Sequence, residues 1–93
     1  MNNSENELSR RVIIANDLGL HARSASKIVK LVQNAKFNVW IIKDGKKADA
    51  SSIIDILTLA SPKGSTITVN IDDRSDLEIL NNLVQLIESG FGE

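Results

Sequence analysis

Apolar and polar side chains alternate without a break from residue 66 to residue 71, with Ile67, Val69 and Ile71 set against Thr66, Thr68 and Asn70. Period two predicts a strand with one face in the core and the other in water. Downstream, Leu80, Leu83, Val84 and Ile87 recur at helical spacing, with Ser75 and Glu78 placed as a capping box ahead of them and Gly90 as a C-terminal stop. The β-branched run Arg11–Ala15 predicts an earlier strand that ends at the polar pair Asn16-Asp17. From Ala22 to about Asn34, Ala25, Ile28, Val29 and Val32 form the apolar stripe of a helix. Lys36 to Lys43 alternates again, Phe37, Val39 and Ile41 on one side and Asn38, Trp40 and Ile42 on the other. Asp44-Gly45 then supplies a hairpin turn, and Lys46–Ala50 returns as a weaker edge strand. A short helix is predicted from Ser52 to Leu59, capped by Ser52 with Asp55 as an imperfect capping box; Pro62 and Gly64 punctuate the segment after it.

The order is therefore β-α-β-β-α-β-α. One-sided alternation in the strands implies an antiparallel sheet whose apolar face is covered by helices, an α+β sandwich. A single domain is expected over residues 10–93, preceded by a polar, flexible N-terminal extension over residues 1–9. Ninety-three residues allow one modest core and no separate catalytic lobe, so any chemistry should sit at the surface.

Charge narrows the function classes. A net charge of −1 with 3% aromatic residues argues against a nucleic-acid binder built on Trp40 and the lysines, which would need a basic groove and stacking platforms. The chain contains no cysteine, which excludes disulfides, thiolate metal sites and thiol nucleophiles. Neither a secretory signal nor a membrane span is visible. A cytoplasmic location, no membrane insertion and no cofactor are therefore expected. One histidine without companion ligands predicts no metal site.

That histidine, His21, lies in Asp17-Leu18-Gly19-Leu20-His21-Ala22-Arg23-Ser24-Ala25-Ser26, where loop turns into helix. Backbone N–H groups of a first helical turn lack intrahelical acceptors, and the helix dipole adds positive character there. The amides of Ala22, Arg23 and Ser24, with the Arg23 guanidinium, are thus candidates to hold a phosphate on His21. An unperturbed imidazole titrates at about 6.5, so a neutral ring nitrogen is available as a nucleophile near pH 7. Taken alone, a lone histidine is more often a surface or capping residue. Arg23, Lys27 and Lys30 form a basic stripe starting beside it, suited to steering acidic partners. The apolar set of Ile53, Ile54, Ile56, Leu57 and Leu59 exceeds one core-facing stripe, so part of that helix should be exposed.

Gly19-Leu20-His21-Ala22-Arg23, the Ser52-Ile53-Ile54 and Leu57 segment, the Lys63-Gly64 turn and the closing Gly90-Phe91-Gly92-Glu93 occur in an order that resembles the HPr family. These are small histidine phosphocarriers of the phosphoenolpyruvate-dependent phosphotransferase system, with a nitrogen-regulatory paralogue. The resemblance implies an open-faced β-sandwich with a four-stranded antiparallel sheet and three helices on one face. It implies that His21, through Nδ1, accepts phosphate from enzyme I and passes it to an enzyme IIA-type acceptor, with Arg23 assisting. It further implies partner contacts at Leu20, Ser26, Lys27, Lys30, Ile53, Ile54 and Leu57, a monomer, and a candidate regulatory phosphosite at Ser52 for an HPr kinase/phosphorylase. Ser52 is also explained by capping alone, and Asp55 adds a negative charge where the family usually has a small residue. Ser24 stands where the family nearly always has proline. Loss of that proline is expected to relax the helix start, which motivates an alternative reading: an HPr-like regulatory binding module with weakened phosphotransfer.

Overall fold

The computed structural model describes residues 7–93 and contains four strands and three α-helices in the expected order. They are β1 (Ser9–Ile13), α1 (Ala22–Val32), β2 (Val39–Lys43), β3 (Lys46–Asp49), α2 (Ile53–Leu57), β4 (Thr66–Ile71) and α3 (Leu77–Glu88). All strand pairs are antiparallel and the sheet order is β1-β4-β2-β3. β4 is central because its alternation supplies one fully apolar face: Ile67, Val69 and Ile71 are buried, opposite Val12, Ile41 and Val39. The helices cover that face with Ala25, Ile28 and Val32 of α1, Ile56 of α2, and Leu80, Leu83 and Ile87 of α3. Each fully buried leucine or isoleucine contributes on the order of 2 kcal/mol of transfer free energy.

Several boundaries differ from the sequence expectation, for local reasons. β1 begins at Ser9 rather than Arg11; its chain continues past the ladder, Ile14 N–H donating to the Ser65 carbonyl at 2.9 Å. Of the expected extension, residues 1–6 lie outside the described residues, whereas Leu8 already packs against the core and accepts the Ile71 N–H. Phe37 is exposed instead of sharing the core side of β2 with Val39 and Ile41. The cause is Asp76, a buried carboxylate that accepts the backbone N–H groups of Lys36 and Phe37, both at 2.9 Å, and fixes the chain before β2 starts. Asp76 is thereby diverted from capping α3, and Ser75 does not cap it either. Instead Asp73 caps a 3-10 turn over Arg74–Asp76 that leads into the helix.

Candidate functional site

The site begins with a glycine that nothing else can replace. Gly19 adopts φ +66°, and a Cβ there would stand 2.4 Å from the Ser61 carbonyl oxygen and 2.8 Å from Pro62 Cα. This close approach lets Leu20 N–H donate to Ser61 O at 2.9 Å and sends the Leu20 side chain into the core. The next residue, His21, is the extended N-cap of α1. Its Nδ1 accepts the Arg23 backbone N–H at 3.3 Å, so the imidazole occupies the place an N-capping oxygen would take.

Ser24 closes the turn from the other side. His21 N–H donates to Ser24 Oγ at 2.9 Å, and that hydroxyl in turn donates to the Gly19 carbonyl at 3.0 Å. The residue is fully buried. A relaxed helix start, expected from the missing proline, is therefore corrected: the serine tethers both the histidine backbone and the glycine loop. Replacing Ser24 with alanine takes the acceptor from the His21 N–H and one donor from the buried Gly19 carbonyl, and should destabilise the fold by about 2 kcal/mol. Denaturant midpoints of the two proteins check this.

The other ring nitrogen meets the far end of the chain. His21 Nε2 lies 2.8 Å from Glu93 Oε2, with 24% and 16% of the two side chains exposed. Glu93 Oε1 accepts from Asn16 Nδ2 at 3.0 Å, and the same Nδ2 donates to the Gly19 carbonyl at 2.8 Å. Glu93 is delivered by a tight turn over Gly90–Gly92 in which Phe91 is buried at φ +60°. Lys27 Nζ donates to the Phe91 carbonyl at 2.6 Å and clamps that turn onto α1. The hydrogen bond from Asn16, then that from His21, hold the Glu93 carboxyl below the usual glutamate value of 4.5, with Arg23 charge adding to the effect. A depressed carboxyl contributes stability that is fully present above pH 4.5, declines as pH drops further, and is gone below the folded-state value. Carbon-13 NMR should place the Glu93 titration midpoint below 4.5.

The remaining sequence candidates separate into three groups. Arg23 is exposed at the start of α1 and lines a recess of about 390 Å³ together with Asn16 and Glu93, and its charge is felt at the Glu93 carboxyl. Ser26 and Lys30 are exposed on α1. Ile53, Ile54 and Leu57 are exposed on α2, Ile54 at 76%, and α2 packs against α1. Leu18, a loop residue outside any periodic pattern, is also exposed and adds to the apolar surface of the molecule. Leu20 is corrected from partner contact to core residue, because the Gly19 turn rotates it inward. Lys27 remains partly exposed on α1 while its ammonium also clamps the Phe91 carbonyl. Ser52 caps α2, its Oγ accepting the Asp55 N–H at 3.2 Å, and Asp55 Oδ2 accepts the Asp49 N–H.

Sequence reasoning misses Asn16 and Glu93 as site residues. In the sequence Asn16 is only the polar end of a strand, and Glu93 only part of a closing motif. The one available signal is the Gly-Phe-Gly-Glu turn, whose glycines permit a sharp reversal. Among the described residues, no group of three or more His, Asp or Glu side chains is placed to hold a metal, and no helix is long and apolar enough to cross a membrane.

A phosphate on Nδ1 would replace the Arg23 N–H···Nδ1 contact with N–H···O contacts to the phosphoryl oxygens, and Nε2 would keep its proton toward Glu93. The geometry suits reversible loading of one anion on one imidazole. The profile of a family described as "PTS HPr component phosphorylation site" matches residues 8–89. Phosphocarrier protein HPr of Cupriavidus necator is 38% identical over 92% of this chain and 97% of its own. Phosphocarrier protein NPr of Proteus mirabilis is 39% identical over 90% of this chain and 94% of its own. The crystal structure of HPr from Thermoanaerobacter tengcongensis superposes with a TM-score of 0.86 at 35% identity, covering 91% of this chain and 96% of that one.

Proposed function

The chain belongs to the HPr family of phosphocarrier proteins of the phosphotransferase system, and on that premise we propose that His21 is its phosphoryl acceptor, loaded by enzyme I and unloaded by an enzyme IIA-type protein in the cytoplasm. The observation that carries this reading is the seat of Nδ1: an unprotonated ring nitrogen directed at a first-turn amide, with Arg23 alongside. In the loading step the donor's bond to phosphorus breaks as the Nδ1–P bond forms. Amides of Ala22, Arg23 and Ser24 and the Arg23 side chain receive the phosphoryl oxygens.

Docking is assigned to the exposed apolar trio Ile53, Ile54 and Leu57 on α2, flanked by Ser26 and Lys30 on α1. Apolar area supplies affinity and the lysine supplies steering. The N-cap Ser52 has a hydroxyl within reach of a kinase, but Asp49 and Asp55 already surround it with negative charge. Phosphate there would meet like charges, so capping is the role assigned to it. Because relatives include both HPr and NPr proteins, the sugar and nitrogen branches are distinguished by the acceptor. Incubation with enzyme I and phosphoenolpyruvate tests the reading: one acid-labile phosphate per chain supports it, and an unchanged mass overturns it.

A further inference from the structure

We propose that Glu93 is a positioning residue that, with Asn16, selects the ring tautomer of His21 and so leaves Nδ1 as the attacking atom. This role rests on the carrier reading of His21 and goes beyond it by tracing why one ring nitrogen is the nucleophile. The chain of causes starts at the Gly19 carbonyl, an acceptor with a fixed direction. Asn16 must point Nδ2 at it, and does so at 2.8 Å. The same Nδ2 donates to Glu93 Oε1 at 3.0 Å, which leaves Oε2 to accept from the ring.

The asparagine orientation is secured at a cost. Asn16 is only 5% exposed, and its Oδ1 is buried without a hydrogen-bond partner among the described residues. Flipping the amide would aim that oxygen at two acceptors, the Gly19 carbonyl and the Glu93 carboxylate, which is worse than leaving it orphaned. Glu93 Oε2 at 2.8 Å from Nε2 can only accept, so the ring proton sits on Nε2. Nδ1 then carries the lone pair, in agreement with its acceptance of the Arg23 amide. During loading the Nε2 proton stays on the ring, Nδ1 gains the bond to phosphorus, and the developing positive ring charge faces the carboxylate. Phe91, buried beneath the turn, and Lys27, bonded to its carbonyl, keep Glu93 in place.

The test is Glu93→Gln, a surface change that leaves the core untouched. Its amide offers one oxygen to two donors, Asn16 Nδ2–H and His21 Nε2–H, so the tautomer lock is lost. Nitrogen-15 NMR of the ring should read the Nε2–H form in the parent and a mixture with the Nδ1–H form in the variant. Phosphoryl transfer from enzyme I should fall about tenfold, less than for a buried triad carboxylate because Glu93 is partly solvated. Asn16→Ala should move both readouts in the same direction by less. An unchanged tautomer in Glu93→Gln overturns the proposal, as does a shifted tautomer with unchanged transfer. Failure of the parent protein to accept phosphate is a different result: it overturns the carrier reading and this inference with it, whatever the ring tautomer.

Discussion

Replacing His21 with alanine is expected to abolish acid-labile phosphorylation entirely while leaving the fold in place. His21 is the only histidine and the chain has no cysteine, so no second imidazole or thiol can inherit the group. The fold should survive because the side chain lies on the surface of the site and fills no core space; Val12, Ile28, Val69 and Leu83 pack without it. What is lost is one N-cap, whose removal costs about 1 kcal/mol, and the anchor of Glu93. Intact-mass measurement with enzyme I and phosphoenolpyruvate, beside a thermal melt, separates the two effects. A variant that still gains a phosphate, acid-labile or not, would place the acceptor elsewhere.

Gly19→Ala should produce the largest loss of stability of any single change at the site, about 3 kcal/mol. A left-handed backbone conformation costs a residue with a Cβ roughly 1–2 kcal/mol. The new methyl would also collide with the Ser61 carbonyl oxygen and Pro62 Cα, both of them backbone, so neither can rotate away. Relief requires opening the Leu20 N–H···O=C Ser61 bond, which then leaves buried polar groups unpaired. For a domain of this size the melting temperature should fall by about 15 °C. Transfer should slow as well, because Gly19 O is the acceptor that orients both Ser24 and Asn16. A shift of only a few degrees would mean that the loop moves as a unit and that its register does not seat His21.

The sheet and helices are legible in the sequence because each element buries one face, and one-sided burial leaves a periodic trace. β4 is the clearest case: Ile67, Val69 and Ile71 are all buried as alternation requires. Pattern fails where a long-range polar contact overrides it. Phe37 continues the period of β2 but leaves the core because Asp76, 39 residues away, captures its amide. Ser75 has the sequence of an N-cap, yet Asp73 accepts both its N–H and its hydroxyl.

The site divides the same way. His21 and the first-turn amides can be read from local sequence, since loop-to-helix transition and N-terminal position are local properties. Leu20 lies in a loop without periodicity, so no pattern encodes the direction of its side chain. Lys27 sits on the expected basic stripe, but its ammonium is taken by the carbonyl of Phe91, a residue 64 positions on. Glu93 reaches His21 across 72 residues, and only the folded chain shows that this carboxylate, rather than solvent, faces Nε2. The missing proline is legible as a departure. Its consequence is not, because the compensating hydroxyl bonds depend on where Gly19 O points.

The most direct test is nitrogen-15 and phosphorus-31 NMR of the protein after incubation with enzyme I and phosphoenolpyruvate. The predicted result is one phosphorus atom coupled to Nδ1 of His21, with Nε2 still bearing its proton. Phosphorus on Nε2, or on a side chain other than His21, would contradict it.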